Sequence, residues 1–457
     1  MSRTRRQAAM RAAPPQTFLE CLRYFLAPPL WRQLLPLFGP YQARRWRTQP
    51  LLLVLLLMTW CAGESAAERF ETARAFYVAS YQRQRRPGKT VEGFQRALAR
   101  VPMRVWRTVA VALRQRLLTV FASRLSVAGF VPFGCDGSQL TGPRSDGLRR
   151  LRAQTSPQAA PVIFLSALVH LSTGLLWSWR LGGPCASERD HLVRLLSSLP
   201  WAALVVADAG YVGYELLRQL VTAQRWFLIR LNGNAPLYPI GRVAFSRRRE
   251  GEAYYWPAHA QRHQQPPVRV RVIRLRGKRT VGAKKADVWL MTNVLDSARL
   301  PRATASQFYR WRWRNEGLFR TYKRTLGKVK LFSRTLRPLH REAEGSLLAV
   351  QLLLAHGVLA LPTADAAQQR LPSARQVLVA IRVDIGNQIG RLLGPRQRQS
   401  YRRRLEQMRL DRRRHRKDKV RRRWPSRQPH KPPKPPRLLK MGTDLKDLLA
   451  QLLAAPA

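Results

Sequence analysis

Acidic residues are scarce in this chain. Its 457 residues include 25 Asp and Glu against 83 Lys and Arg, which gives a formal net charge of +58. Such a charge is far more than solubility requires, and it predicts a polyanionic partner. Nucleic acid is the leading interpretation, and an anionic membrane surface is the competing one.

Long hydrophobic runs are lacking as well. The longest, residues 51–61 (LLLVLLLMTWC), is shorter than the roughly 20 residues that a membrane-spanning helix needs. This run predicts a buried helix instead. A protein of the membrane surface is also disfavoured, because the basic C-terminal region has no matching hydrophobic face.

Cysteine pairs and Cys/His clusters are missing too. The four cysteines are scattered without any CxxC spacing, which argues against a zinc finger and against a disulfide framework. Residues 1–15 are basic, but charged residues and Pro28-Pro29 break the apolar segment that follows, so no signal peptide is expected. We therefore expect a cytoplasmic protein.

The hydrophobic content of 45% is enough to build the cores of two or three domains. Within residues 1–125 the apolar spacing is typical of helices and predicts an α-helical N-terminal domain. Basic turns between these helices, such as residues 83–86, suit the recognition of duplex DNA ends. A helical domain with ordinary solvated arginines is the alternative.

Strand patterns follow the helical region. One strand is predicted to end near Asp136, a hairpin to turn around residues 172–174, and a short apolar strand, residues 203–207, to end on Asp208. In open α/β sheets, residues just beyond the carboxyl ends of strands lie where ligands bind. Both aspartates are therefore candidate site residues.

The order of elements predicts the fold. Helices are expected at residues 187–199 and from near Val212, and another strand at residues 225–231. The predicted order is therefore strand, hairpin, helix, strand, helix, strand. This order matches a ribonuclease H-like α/β fold, which is a mixed sheet with helices on its faces. We assign this fold to residues 126–345.

A β-rich insertion is predicted to interrupt this domain at about residues 232–300. Residues 268–275 (VRVRVIRL) alternate, so Arg269 and Arg271 are expected to point outward from the strand. These arginines are suited to phosphate contact, although a solvated strand face is the simpler interpretation.

Residues 306–327 are predicted to form one α-helix. At about 100° per residue, Tyr309, Arg312, Glu316 and Lys323 share a face about 60° wide. The neighbouring sector is apolar and is expected to pack on a core; it consists of Phe308, Trp311, Leu318, Phe319, Tyr322 and Leu326.

Glu316 is a single carboxylate on an otherwise basic helix. A basic helix attracts phosphate, and a carboxylate is useful there if a divalent cation lies between it and the phosphate. The alternative is an ion pair within the helix, because Arg312 and Arg320 both lie four residues away.

The spacing Tyr309-x2-Arg312-x3-Glu316-x6-Lys323 resembles the signature of one large branch of the DDE transposases, the enzymes of bacterial insertion sequences. The resemblance implies that Glu316 is the third metal-binding carboxylate and that Tyr309, Arg312 and Lys323 hold the DNA of the transposon end. It also implies that the insertion helps to hold that DNA.

The other two carboxylates are assigned on weaker motifs. Asp208-Ala209-Gly210-Tyr211 resembles the second motif of the family, Asp-x-Gly-Tyr before a helix. Asp136-Gly137-Ser138 departs slightly from the first motif, where a Thr often stands, and Asp-Gly after a strand is also a common turn. Four other acids are possible decoys: Asp146, Glu188, Asp190 and Glu215.

The expected function is that of a metal-dependent DNA transposase. It would bind the terminal inverted repeats of its element, cleave the ends and join the 3′-hydroxyls to target DNA, with Asp136, Asp208 and Glu316 as catalytic residues. These carboxylates would hold Mg²⁺, with Mn²⁺ possible, and the protein would act as a homodimer on double-stranded DNA. The resemblance implies a bacterial, nucleoid-associated protein. A metal-dependent nuclease of the same fold and a non-catalytic DNA-binding protein, such as a decayed copy, are the alternatives.

The C-terminal part changes composition abruptly. Residues 346–394 are predicted to form a helical extension. Residues 395–457 form a tail dominated by Arg and Lys, expected to stay disordered or partly helical until it meets DNA, which it would bind nonspecifically. A short helix at residues 444–453 ends the chain and could pack on another subunit.

Overall fold

The first part of the fold is helical. The computed structural model describes residues 15–38, 46–152, 159–241, 250–277, 279–280, 283–284, 287–328, 330–390, 405–406 and 436–454. The helices before the first strand are α1 (Phe18–Phe25), α2 (Pro28–Leu34), α3 (Thr48–Trp60), α4 (Ala66–Ser80), α5 (Val91–Arg100), α6 (Met103–Val120) and α7 (Ala122–Leu125).

Local sequence explains where these helices begin and what they bury. Helix α1 starts at a capping box, in which the Thr17 hydroxyl accepts from the Glu20 amide and the Glu20 carboxylate accepts from the Thr17 amide. Helix α3 contains the long apolar run and is buried on nearly every side. The prediction of a buried helix for residues 51–61 is confirmed.

A ten-stranded mixed sheet forms the centre of the molecule. Its strands, in spatial order, are β12-β6-β7-β8-β11-β5-β4-β1-β2-β3. Strands β4 and β5 run parallel to β1, whereas β2 and β3 form the predicted hairpin, antiparallel to β1. The strands are β1 (Val131–Thr141), β2 (Val162–His170), β3 (Leu176–Gly182), β4 (Ala203–Ala207), β5 (Trp226–Arg230), β6 (Pro236–Pro239), β7 (Glu250–Tyr255), β8 (Val268–Leu275), β11 (Val288–Thr292) and β12 (Arg437–Leu438), with β9 (Arg279–Thr280) and β10 (Ala283–Lys284) forming a separate ribbon.

Both faces of the sheet are covered. Along β4, Ala203, Val205 and Ala207 belong to the main hydrophobic core, and Leu204 and Val206 belong to a second, smaller core. Because side chains alternate along a strand, these two cores lie on opposite faces of the sheet. The continuous apolar run of β4 is what a strand buried on both faces requires.

The first strand is longer than predicted. It continues to Thr141, so Asp136 lies in its middle and not at its end. Strand β2 pairs with β1 throughout this stretch, from Phe133 opposite His170 to Thr141 opposite Val162. The sequence Gly137-Ser138-Gln139 has the composition of a turn, but pairing with a neighbouring strand keeps it extended.

The predicted insertion contributes strands to the same sheet. Strands β6, β7, β8 and β11 follow one another antiparallel and join β5 through β11. The outward orientation predicted for Arg271 is wrong: its side chain is buried and donates to the carbonyls of Val294, Asp296 and Leu300. Arg269 is exposed and pairs with Glu252.

Two helices follow strands at the centre of the sheet. Helix α8 (Glu188–Leu195) continues into a 3₁₀ turn that ends at Ser198, close to the predicted bounds. After β4 a 3₁₀ turn (Ala209–Tyr211) precedes α9 (Tyr214–Thr222), and α10 (Ala258–Arg262) lies between β7 and β8.

The helix predicted for residues 306–327 is divided into segments. It consists of α11 (Arg302–Trp311), a turn at residues 312–313, α12 (Arg314–Arg320) and a π-helical turn (Thr321–Thr325). The six apolar residues are buried as predicted, but Phe308 and Trp311 join the smaller core and the other four join the main core. The change from one core to the other falls at the turn between α11 and α12.

The C-terminal helices pack on the N-terminal ones. They are α13 (Leu336–Leu359), α14 (Thr363–Ala367), α15 (Ala374–Ile389) and α16 (Thr443–Ala454). Asp384 of α15 accepts from the Phe18 amide at 2.9 Å, and the Trp60 indole donates to the Ala349 carbonyl of α13 at 3.2 Å.

The end of the chain returns to the sheet. Strand β12 pairs in parallel with β6, and leucines of α16 pack against the main core of the same chain. The predicted terminal helix is confirmed, and it packs on its own chain. Most of the basic tail predicted for residues 395–440 lies outside the described residues. No helix in the described part of the chain combines the length and the apolar character that crossing a bilayer requires.

Candidate active site

Strand register brings two of the predicted carboxylates together. Strands β1 and β4 are parallel, with Val131 opposite Ala203 and Gly134 opposite Val206. The same register, continued for two residues, places Asp136 beside Asp208. Asp208 directly follows the carboxyl end of β4, as predicted.

Each aspartate is oriented by a backbone amide. Asp136 Oδ1 accepts from the Gly137 amide at 2.8 Å, and Asp208 Oδ1 accepts from the Gly210 amide at 2.9 Å. Burial raises the pKa of Asp136, and the negative charges of Asp208 and Glu316 raise it further, although the Gly137 amide and Arg312 act in the opposite direction. The three predicted carboxylates are therefore electrostatic neighbours.

Helices α11 and α12 bring a glutamate and an arginine to this pair. Glu316 lies in the first turn of α12 and is exposed. Arg312 lies in the turn between the two helices and is only 8% exposed, with its guanidinium 5.7 Å from the Tyr309 ring centroid and 5.0 Å from that of Trp313. Within the described residues, the Arg312 Nε has no hydrogen-bond partner.

The ion-pair alternative for Glu316 finds no support. In the part of the chain that the structure describes, no ion pair joins Glu316 to Arg312 or Arg320. The carboxylate is thus available for a ligand, and its electrostatic effect is on Asp136 instead.

Lys323 reaches the first strand from the π-helical turn. Its Nζ donates to the Ser138 hydroxyl at 2.8 Å, two residues beyond Asp136, and burial lowers its pKa. A π-helical turn changes the angle between successive side chains, and such turns occur frequently at functional sites. Tyr309 is buried in the smaller core.

The structure adds one acid that sequence reasoning set aside. Glu188 begins α8 after the Ser187 cap, and its carboxylate lies over Gly137: a Cβ on that glycine would be 2.1 Å from Glu188 Oε1. Burial raises the pKa of Glu188, the charges of Asp136 and Asp208 raise it further, and a hydrogen bond from Tyr211 lowers it. A glycine inside a strand indicates such a close approach, and Gly137 was the available signal.

The other three acids named as decoys are exposed. Asp146 pairs with Arg149 at 3.8 Å, Asp190 lies in the first turn of α8, and Glu215 lies in the first turn of α9.

The carboxylate pair suits a small divalent cation. No three His, Cys, Asp or Glu side chains among the described residues are arranged to hold a metal ion by themselves. Mg²⁺, however, is usually held by one or two carboxylates together with waters and substrate phosphate oxygens. Asp136 and Asp208 fit that requirement, because they are hard oxygen donors whose mutual repulsion a cation would relieve.

A basic cleft lies beside the same helices. It has a volume of about 730 Å³, and no Asp or Glu is found among its described lining residues. Its walls include Arg310, Arg320 and Arg370, and Trp313, whose side chain is 51% exposed. Arginines and an exposed indole are suited to the phosphates and bases of nucleic acid.

The fold and the site define a mixed α/β protein with a carboxylate cluster suited to phosphodiester chemistry. Residues 150–352 match a family model described as the transposase DDE domain. The match covers less than half of the chain; it includes Asp208 and Glu316 and begins after Asp136. It supports a DDE-type transposase.

The comparison with whole proteins is less informative. No curated protein matches this chain significantly. The fold is similar to that of the piggyBac transposase in a synaptic complex with hairpin DNA, with 10% sequence identity, a TM-score of 0.44, and coverage of 87% of this chain and 86% of that one. A likeness this distant carries no functional information.

Proposed function

We propose that this chain is a DNA transposase that cleaves the ends of its own element and joins them to target DNA. One observation carries the proposal: Asp136 and Asp208 lie side by side on parallel strands, and the charge of Glu316, on a basic helix, acts on Asp136. The strand order β3-β2-β1-β4-β5 supports a ribonuclease H-like fold for this region, with the later strands as its insertion.

Asp136, Asp208 and Glu316 would hold Mg²⁺ or Mn²⁺ at this site. Bound there, the metal would supply activation of the attacking oxygen and stabilisation of the leaving oxygen. The attacking oxygen belongs first to water and then to the 3′-hydroxyl of the cleaved end.

The cations around the carboxylates would position the DNA backbone. Arg312 is buried beside Asp136 with an unpaired Nε, so a phosphate oxygen is a suitable acceptor for it. Lys323 is held on β1 by Ser138 and would contact a neighbouring phosphate. Tyr309 would support Arg312 through its ring and contact a phosphate or a displaced base.

The remaining parts of the chain would select and hold DNA. We assign recognition of the terminal inverted repeats to residues 1–125 and nonspecific binding to the basic residues of 395–440. Two transposon ends have to be joined, so we expect a homodimer on DNA. The insertion-sequence origin and the bacterial, nucleoid-associated setting belong to the same proposal.

The test uses a plasmid that carries the gene with its native flanking DNA. The purified protein is incubated with this plasmid and Mg²⁺, and breaks are mapped by sequencing. We expect discrete breaks at a pair of inverted repeats, lost in Asp208→Asn and retained in Asp190→Asn, which changes an exposed acid of α8. Labelled end DNA with an acceptor plasmid then tests joining.

Three outcomes would contradict the proposal. Binding without breaks in Mg²⁺ and in Mn²⁺ would indicate a non-catalytic DNA-binding protein. Breaks without joined products would indicate a nuclease. Breaks that persist in Asp208→Asn would show that the carboxylate pair is not needed for cleavage.

A further inference from the structure

We propose that Glu188 is a fourth carboxylate of the active site and that, once DNA supplies phosphate oxygens, it holds a divalent cation together with Asp136 and Asp208. This inference rests on the proposed function, since it assigns a further ligand to the same metal site. It gives a role to an acid outside the Asp-Asp-Glu set.

Helices α12 and α8 pack on opposite faces of strand β1. A Cβ on Gly134 would be 2.6 Å from the Asn315 side chain of α12, and a Cβ on Gly137 would be 2.1 Å from Glu188 Oε1. Residues three apart on a strand point to opposite faces. Helix α12, which carries Glu316, therefore lies on one face of β1, and Glu188 lies on the other.

Glu188 lies beside the turn that carries Asp208. Tyr211 is fully buried at the end of that turn, where its hydroxyl accepts from the Cys135 Sγ at 3.3 Å and lowers the pKa of the neighbouring Glu188 carboxyl. The turn Asp208-Ala209-Gly210-Tyr211 thus supplies one carboxylate and places a buried hydroxyl near another. Polar groups around a ligand side chain support a metal site.

The balance of charge at this point favours the binding of a cation. Four carboxylates gather here in a chain with 25 Asp and Glu, while the charge of Lys323 is directed to Ser138. Arg312, whose charge acts on Asp136, is 8% exposed and has an unpartnered Nε within the described residues. An unpaired donor and excess acceptors at one place fit a metal ion with a phosphate bound to it.

The experiment measures Mn²⁺ binding to the full-length protein by calorimetry and by electron paramagnetic resonance, with and without end DNA. Glu188→Gln keeps the volume of the side chain and removes its charge. We expect its Kd for Mn²⁺ to rise about tenfold or more, as for loss of a group that supports a metal site. The control is Asp190→Asn, on the same helix, whose Kd should equal that of wild type.

A glycine substitution tests position independently of charge. Gly137→Ala keeps every carboxylate, but its methyl group occupies the place of Glu188 Oε1, so Mn²⁺ binding should weaken here too. Gly183→Ala is the matched control, because a Cβ there meets nothing within 4 Å. Thermal unfolding of each variant establishes that it is folded before its Kd is interpreted.

The outcomes separate this inference from the proposed function. If folded Glu188→Gln binds Mn²⁺ with the wild-type Kd while Asp208→Asn does not, Glu188 is no ligand and the transposase proposal stands. If the wild-type protein cuts no DNA but Glu188→Gln binds Mn²⁺ more weakly than wild type, the metal site stands and the proposed reaction fails.

Discussion

At the scale of single residues, the site places negative charge where the rest of the chain is positive. The charges of Asp208 and Glu316 raise the pKa of Asp136, and the charges of Asp136 and Asp208 raise the pKa of Glu188. Such repulsion destabilises the folded chain unless a cation offsets it. These residues are therefore expected to serve a ligand.

Replacing Glu316 by Gln should separate cleavage from binding. We expect DNA-end affinity to be retained, because the substitution removes a negative charge from a basic surface. Cleavage should fall by about a hundredfold or more, as loss of several kcal/mol of metal-derived stabilisation implies. DNA-end affinity is measured by gel shift, and the cleavage rate is measured under single-turnover conditions.

The control for this pair of measurements is Glu215→Gln, which changes an exposed acid in the first turn of α9. If Glu316→Gln cuts DNA at the rate of the control variant, Glu316 is not needed for cleavage.

The sequence predicted some of these residues and missed another for a physical reason. Asp208 ends an apolar strand, and Glu316 stands in a recognisable spacing, so both are visible in a linear pattern. Glu188 meets Asp136 only because α8 crosses β1 at Gly137, a contact between residues about fifty positions apart. No periodicity records a contact of that kind.

At the scale of elements, polar contacts hold the segmented helix at its middle and just beyond its C-terminal end. The Arg314 guanidinium donates to the carbonyls of Leu171, Ser172 and Gln369. Beyond the π-helical turn, Lys328 pairs with Glu342 at 3.0 Å, and both side chains are buried. Glu342 also accepts from the amides of residues 332 and 333, which holds the segment after the helix on α13.

We expect Glu342→Gln to lower the free energy of unfolding by about 3 kcal/mol. The amide can still accept from the two backbone N–H groups, but the Lys328 charge would remain buried without its partner. Urea unfolding followed by circular dichroism measures the change, and the double variant Glu342→Gln/Lys328→Met should recover part of the loss.

Glu252→Gln is the surface counterpart, because its partner Arg269 is half exposed. Its cost should stay below about 1 kcal/mol. Equal losses at the two sites would show that the buried pair does not support the helix.

The sequence predicted one continuous α-helix where the structure has a segmented one. Helical periodicity over residues 306–327 is strong, and no proline interrupts it. The break arises because α11 packs on one core and the π-helical turn on the other. Which core a residue joins depends on the position of the whole sheet, and the sequence pattern holds no record of it.

At the scale of the whole molecule, helices from the two ends of the chain share a core. His356 of α13 is fully buried against the rings of Phe18 and Phe25, at 5.6 Å from each centroid, and both its ring nitrogens lack partners in the described part of the chain. Burial lowers the pKa of His356 to about 3. The sequence predicted these helices individually, but their mutual packing depends on contacts across more than three hundred residues.

This histidine should make the protein sensitive to acid. Its pKa is about 6.5 when unfolded, so between about pH 6.5 and pH 3 the unfolded chain binds the additional proton and stability falls as pH falls. The loss is up to about 1.4 kcal/mol per pH unit. His356→Leu should flatten the pH dependence of urea unfolding between pH 7 and pH 5.

The control is His263→Gln, which alters an exposed histidine and should leave the slope unchanged. An unaltered slope in His356→Leu would mean that this imidazole does not titrate on unfolding.

The pairing of β12 with β6 has a consequence for the arginine-rich segment before it. Helix α15 ends at Ile389, and the chain is attached again to the sheet at Arg437, so the basic residues between them are anchored on both sides. A single proteolytic nick between residues 391 and 435 would leave both fragments attached to the folded body, whereas a free tail would be released.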